Sequence, residues 1–206
     1  MAANDSTGIR RMSRDAALDA LARRRDSQVV VSTMTSVRPW RERAGSDRNL
    51  FCLGFMGGAS TLGLGVALAR PELPVWIIDG DGSLLMQLGS LATIANAAPR
   101  KFLHIVMRNE MYETSGGQPL AAAAGLSFAG LAREAGYAHA VRFDDVEAFD
   151  AALDDLLARD GPVFVELITA STDSFFKPAP PPTERPTPAL AKNWPIVRDA
   201  LRAGTD

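Results

Sequence analysis

One cysteine, Cys52, is the only thiol in this 206-residue chain. Its solitude excludes an internal disulfide, a cysteine-rich zinc site and an iron–sulfur cluster held by this chain alone. A reducing, cytoplasmic setting is the simple expectation. Long apolar runs are also missing. The longest, such as 62–69 and 120–126, are short and interrupted by glycine, so no membrane span is expected. The start carries Asn4, Asp5, Arg10 and Arg11 with no apolar run behind them, unlike a secretory signal. Basic excess is absent as well: 22 Lys and Arg stand against 24 Asp and Glu, a net charge of −2. A binder of phosphate backbone normally shows the reverse, so no nucleic-acid partner is expected. There is no Gly-x-Ser-x-Gly elbow, no Gly-Lys-Ser/Thr phosphate loop and no histidine pair at metal spacing.

What is present suits one globular domain. Apolar residues make up 47% and charged residues 22%, enough for a core and a solvated surface. Ser13 is a good N-cap for a helix through Ala16, Leu18, Leu21 and Ala22. Apolar strands are expected at 27–33, 75–78, 102–107, 139–141 and 163–168. Helices are expected at 57–69, 84–98, around 128–135, and at 145–158. Strands that are continuous apolar runs, alternating with helices, predict an α/β fold: an open, doubly wound, mainly parallel sheet with helices on both faces. Residues 1–12 read as a flexible N-terminus, 13–170 as the α/β domain and 171–206 as a Pro-rich extension. Seven of the thirteen prolines fall between Pro178 and Pro195, which argues against helix or sheet interior there; Trp194 and Ile196–Leu201 suggest a short terminal helix. Up to Leu50 ten arginines face six acids, an excess of +4 that leaves −6 for the rest. A solvated basic face accounts for this, as does a subunit contact or attraction of an anionic substrate.

Ligands of a parallel α/β sheet bind beyond the C-terminal ends of its strands. Three such ends are rich in chemistry: Ser32-Thr33-Met34-Thr35-Ser36, Asp79-Gly80-Asp81-Gly82-Ser83, and Met107 to Tyr112 running on into Glu113-Thr114-Ser115-Gly116-Gly117-Gln118-Pro119. Glycines around Asp81 let backbone approach a ligand, and a helix starting near Ser83 would offer N–H groups to a phosphate. A carboxylate beside a phosphate is sensible only with a cation between them. A hard ion such as Mg²⁺ takes oxygen ligands shared between protein and phosphate. Asn109, 28 residues after Asp81, can supply an amide oxygen and Met111 a backbone carbonyl. Taken singly, Asp-Gly and a strand-end Asn are ordinary turn residues.

Together, Gly80-Asp81-Gly82-Ser83 and Asn109 resemble the metal and diphosphate motif of thiamine-diphosphate enzymes. Within that superfamily, Phe55-Met56-Gly57-Gly58-Ala59-Ser60, Ile78 to Gly82, and Glu113 through Gly116-Gly117-Gln118-Pro119 resemble the cofactor domain of sulfopyruvate and phosphonopyruvate decarboxylases. The likeness runs from about Ser13 to Thr169. It implies that Asp81, Asn109 and the carbonyl of Met111 bind Mg²⁺, and that Gly80, Gly82 and Ser83 hold the diphosphate of thiamine diphosphate. It also implies that Thr35 and Ser36 approach the cofactor, that Gly54 accepts a hydrogen bond from its aminopyrimidine, and that Met56 props it into its bent form. Met56 read without the resemblance is a core side chain. Four positions depart from the family: Arg108 and Glu110 replace the Asn and Gly that usually flank Asn109, Tyr112 stands where His is often found, and Met34 replaces a common glycine.

The resemblance further implies a decarboxylase of a small anionic 2-oxo acid, releasing carbon dioxide and an aldehyde, with Glu113 and Tyr112 as candidate catalytic residues. Glu113 also reads as an exposed loop acid. By the resemblance, the glutamate that activates the cofactor ring belongs to a second kind of domain, for which this sequence is expected to leave no room. A separate pyrimidine-binding subunit carrying it is therefore expected, in a hetero-oligomer with two or more copies of each chain. A carboligase subunit and a non-catalytic cofactor-binding or scaffolding module remain alternatives. His104 and His139 read as structural, and Arg38, Arg41 and Arg43 as solvated.

Overall fold

The computed structural model describes residues 3–4, 10–121, 125–171 and 189–203. Short strands β1 (Ala3–Asn4) and β2 (Arg10–Arg11) pair antiparallel ahead of helix α1 (Arg14–Ala22). Ser13 caps α1, its Oγ accepting the Ala16 N–H at 3.3 Å. Strand β3 (Val29–Thr33) passes through a turn of 3-10 helix, Met34–Ser36, into α2 (Val37–Arg43) and strand β4 (Asn49–Cys52). Next come α3 (Ala59–Ala69), β5 (Val75–Gly80), α4 (Asp81–Leu85), α5 (Ser90–Ala97) and β6 (Lys101–Arg108). A hairpin of β7 (Met111–Tyr112) and β8 (Gln118–Pro119) precedes α6 (Phe128–Ala135), β9 (His139–Phe143), α7 (Val146–Ala158) and β10 (Gly161–Ile168). Helix α8 (Leu190–Arg202) closes the described chain.

Six strands form one sheet in the order β4-β3-β5-β6-β10-β9, each neighbouring pair parallel. The expected open, doubly wound α/β sheet is therefore present. Its strands are buried on both faces, which is why they read as unbroken apolar runs. Period-2 alternation divides each strand between two cores. Val29, Val31, Val75, Ile77, Phe102 and Val106 meet α3, α5, α6 and α8. Val30, Trp76, Ile78, Leu103, Ile105 and Val165 meet α1, α2 and α7. Beyond β3 the chain turns out to the edge strand β4, whereas beyond β5 it moves the other way to β6. That divergence opens a crevice at the C-terminal ends of β3 and β5.

The structure differs from the sequence reading at four places. Strand β4 and helix α2 were not anticipated. Residues 84–98 are not one helix: α4 ends at Leu85, and i→i−3 bonds from Gln87 to Leu84 and from Ser90 to Gln87 bridge to α5. Residues 10–12, assigned by sequence to the N-terminal extension, are tied to the sheet. The Met12 N–H donates to Ile168 at 2.9 Å, its carbonyl accepts from Ala170 at 2.9 Å, and its side chain is buried. Finally, Pro195 lies inside α8. The hydrogen bond it cannot make is to the carbonyl of Ala191, an exposed residue that water can serve. The rest of the Pro-rich stretch, 172–188, lies outside the described residues.

Helix α8 covers the edge of the sheet. Asn193 accepts the Phe51 N–H at 2.8 Å and donates to the Asn49 carbonyl at 3.2 Å, occupying ladder groups that an edge strand leaves open. Among the described residues no helix is long and apolar enough to cross a membrane. Cys52 is buried, and burial, reinforced by Asp79, pushes its thiol up to about 11, which leaves it inert near neutral pH.

Candidate functional site

The crevice is a cleft continuous with solvent. Eleven of the twelve sequence-predicted site residues line it: Thr35, Ser36, Met56, Gly80, Asp81, Gly82, Ser83, Asn109, Met111, Tyr112 and Glu113. They come from four separate strand ends. Gly54 is outside that lining, in the exposed turn after β4, with φ 72°. Sequence reasoning missed Arg14, Thr169 and Ala170, and gave Thr33, Met107 and Thr114, which lie in the strand-end stretches it singled out, no role of their own. Thr169 and Ala170 follow β10, so the strand-end rule could have found them. Nothing local in the sequence brings Arg14 to the cleft. It arrives because Met12, two residues before it, pairs with Thr169 just beyond β10.

Asp81 is the centre of the site. It is 2% exposed. Its Oδ1 accepts the Gly82 N–H at 2.8 Å and its Oδ2 the Glu110 N–H at 2.7 Å. Burial raises its pKa to about 6, against the opposing pull of those two N–H groups and of the Arg108 charge. A carboxylate with this much desolvation and a fixed orientation is suited to a cation. The Gly82 N–H, expected to face a phosphate, is thus engaged by Asp81 instead. Ser83 accepts the Gly57 N–H at 3.0 Å through Oγ, which leaves its hydroxyl hydrogen able to donate to an anion. Glycine is required at 82, since a Cβ there would lie 2.6 Å from the Tyr112 ring.

The loop after β6 carries the other proposed ligands. Asn109 Oδ1 accepts the Met111 N–H at 3.1 Å, which fixes the amide and leaves that oxygen a second lone pair. Glu110 between them has φ 65°, and Met34 on the facing loop has φ 49°. Both depart from the family's glycine, and both nonetheless take the left-handed backbone a glycine would favour. Arg11 donates to Glu110 at 2.6 Å and Arg108 at 2.9 Å. Burial alone would raise the Glu110 pKa, but these two guanidinium groups outweigh it and hold the carboxyl below the usual range. Gly116 and Gly117, at φ 86° and 69°, turn the β7–β8 hairpin that carries Gln118-Pro119.

Glu113 is 6% exposed, not the open loop acid that sequence allowed, and approaches Arg14 at 4.0 Å. Arg14 is the one basic side chain among the described lining residues. Thr33 spends its hydroxyl on the Cys52 carbonyl at 2.9 Å, while Ser36 is buried at the floor. His104 lies in the core, 3.0 Å from the Tyr137 hydroxyl.

Among the described residues no group of three His, Cys, Asp or Glu could hold a metal. A cation here would take one carboxylate oxygen from Asp81, neutral oxygens from Asn109 and Met111, and the rest from a ligand or water. That hard, oxygen-only donor set fits Mg²⁺ and leaves positions open for phosphate oxygens.

Residues 28–167 match the family described as thiamine pyrophosphate enzyme, C-terminal TPP binding domain. A phosphonopyruvate decarboxylase of Streptomyces viridochromogenes is 38% identical over 178 residues, 84% of this chain and 44% of that protein. The sulfopyruvate decarboxylase subunit beta of Methanothermobacter thermautotrophicus is 39% identical over 122 residues, 59% of this chain and 62% of that one. The chain thus spans less than two thirds of either relative. A thiamine diphosphate-dependent 4-hydroxybenzoylformate decarboxylase of Rhodococcus jostii, 22% identical, shares the fold with a TM-score of 0.65 over 78% of this chain and 33% of that one. With the family matched across the strands that build the cleft, the chain belongs to the thiamine pyrophosphate enzymes, as their C-terminal TPP-binding domain.

Proposed function

We propose that this chain is the diphosphate- and Mg²⁺-binding component of a 2-oxo acid decarboxylase acting on a small anionic substrate such as sulfopyruvate or phosphonopyruvate. The observation that carries the reading is Asp81: a buried carboxylate, oriented by two backbone N–H groups, beside Asn109 and the Ser83 hydroxyl. When bound, thiamine diphosphate supplies the nucleophile for the 2-oxo carbon and the electron sink into which carbon dioxide departs. Asp81, Asn109 and the Met111 carbonyl hold the cation. The hydroxyls of Ser83, Thr35 and Ser36 donate to phosphate oxygens, and Met56 props the cofactor. Arg14 provides positive charge for an anionic ligand. Glu113 and Tyr112 are placed to handle the proton that completes the aldehyde.

The glutamate that activates the cofactor ring is supplied by a separate pyrimidine-binding subunit, giving a hetero-oligomer. The name "subunit beta" borne by the Methanothermobacter relative supports that division. A reducing, cytoplasmic setting accords with the lone buried thiol.

The test is co-expression with a candidate pyrimidine-binding subunit, followed by assay of carbon dioxide release from phosphonopyruvate, sulfopyruvate and pyruvate. Turnover with the partner and none without it is expected. Robust turnover by the 206-residue chain alone would overturn the two-subunit reading. Consumption of a second carbonyl compound without free aldehyde would mark a carboligase.

A further inference from the structure

Glu110 is an unusual residue for its place. It sits between Asn109 and Met111, and its backbone is left-handed at φ 65°. Any residue with a Cβ is strained there, whereas glycine is not. Yet the backbone of residue 110 is committed to this geometry. Its N–H reaches Asp81 Oδ2 at 2.7 Å, and its carbonyl accepts from Leu120 at 2.8 Å.

The side chain explains how the strain is held. Arg11 grips one carboxylate oxygen at 2.6 Å and Arg108 the other at 2.9 Å. Arg108, 4% exposed, is itself immobilised by Glu166 at 2.8 Å and by the Leu126 carbonyl at 2.7 Å. Fully buried Glu166 in turn accepts the Ala129 N–H of α6 at 3.0 Å. A charge-balanced row thus runs from the N-terminal segment, through the loop after β6, to the interior. Charge-assisted bonds of this kind are short and strong, and a network of them specifies one conformation.

We propose that Glu110 is a positioning residue for the metal: gripped by Arg11 and Arg108, it holds the loop that presents Asp81, Asn109 and the Met111 carbonyl to a divalent cation. Arg11 lines no part of the cleft, and it nonetheless governs Mg²⁺ affinity. The proposal rests on the reading of Asp81 as a metal ligand. A residue that served only the fold would alter unfolding temperature without altering the Mg²⁺ requirement.

Glycine makes the decisive comparison, because it takes this backbone without a grip. The experiment titrates Mg²⁺ calorimetrically into the full chain at fixed thiamine diphosphate, with apo unfolding temperature measured alongside. Arg11→Ala and Glu110→Gln are expected to raise the Mg²⁺ concentration for half-saturation about tenfold, a change of about 1.4 kcal/mol, and Arg11→Lys to recover most of it. In a Glu110→Gly chain, affinity stays near wild type and adding Arg11→Ala changes nothing. Arg11→Ala that leaves affinity untouched, or that weakens it equally in the Glu110→Gly background, overturns the proposal. Asp81→Asn is the control: Mg²⁺ dependence that survives it, or is absent from the wild type, removes the metal reading and the proposal together. Loss in Asp81→Asn with no effect of Arg11→Ala removes the proposal alone.

Discussion

Replacing Asp81 by asparagine should stabilise the metal-free protein at neutral pH while abolishing its metal-linked function. Burial raises the Asp81 pKa from the ordinary 3.8 to about 6. At 1.36 kcal/mol per unit, keeping that carboxylate charged in the folded state costs ~3 kcal/mol. Asparagine removes the charge but is an imperfect acceptor. Both Asp81 oxygens take backbone N–H groups, at 2.8 and 2.7 Å. An amide offers only one oxygen, so one N–H is left facing an NH₂ group, at a cost of ~1–2 kcal/mol. The desolvation effect is larger, and Asp81→Asn should be more stable than wild type by ~1–2 kcal/mol above pH 7.

The pH dependence follows from the direction of the shift. A carboxyl with a raised folded pKa keeps its proton longer in the folded state than in the unfolded state. Its contribution to stability is therefore fully present below pH 3.8 and is lost as pH rises through about 6. The difference between wild type and Asp81→Asn should swing by ~2.4 kcal/mol between pH 4 and 7 and change sign within that window, with wild type more stable at the acid end. Urea unfolding of both proteins in EDTA at several pH values measures this, and the other carboxylates cancel in the difference. Adding Mg²⁺ and thiamine diphosphate should then stabilise wild type alone, by ~2.7 kcal/mol at one hundred times the dissociation constant. A difference that stays constant across the pH range would refute the burial argument. Metal-linked stabilisation of Asp81→Asn would refute the ligand assignment.

Ser83→Ala strands the Gly57 N–H now held at 3.0 Å; a loss of ~1–2 kcal/mol in urea unfolding and several-fold weaker cofactor binding are expected. Asn193→Ala opens two edge-strand groups bonded at 2.8 and 3.2 Å, and should cost ~2 kcal/mol with cofactor affinity unchanged. Unaltered stability would mean that α8 is not what protects β4. Tyr137→Phe removes the hydroxyl 3.0 Å from His104 in the core. It should lower stability by ~1–2 kcal/mol while leaving the Mg²⁺ titration as it was, and an altered titration would contradict a structural role for His104.

Much of the fold could be read locally because both faces of the sheet are buried. Val29 to Val31, Val75 to Ile78 and Phe102 to Met107 announce themselves as strands for that reason, without reference to partners. Strand β4 does not, having four residues and beginning with Asn49. That side chain is buried only because Trp40 Nε1 donates to it at 3.1 Å and it donates to Ala44 at 2.6 Å. Helix α2 was obscured by Pro39 and three arginines, though proline in a first turn loses no helix bond. The break between α4 and α5 leaves little trace in composition beyond Gly89.

Glu113 and Arg108 show the same divide within the site. In sequence each is a charged residue near a glycine-rich loop; in the structure each is buried, Arg108 against Glu166, a residue 58 positions away. The sequence by itself determined that strands and helices alternate and that Asp81 and Asn109 end two strands, because periodicity and turn chemistry are local. Only the tertiary structure decided that β3 and β5 diverge to open the cleft, that Arg14 enters it, and that Arg11 reaches Glu110. Those outcomes depend on which strands pair and what is desolvated between them, and pairing across a hundred residues leaves no mark on the short windows from which a sequence is read.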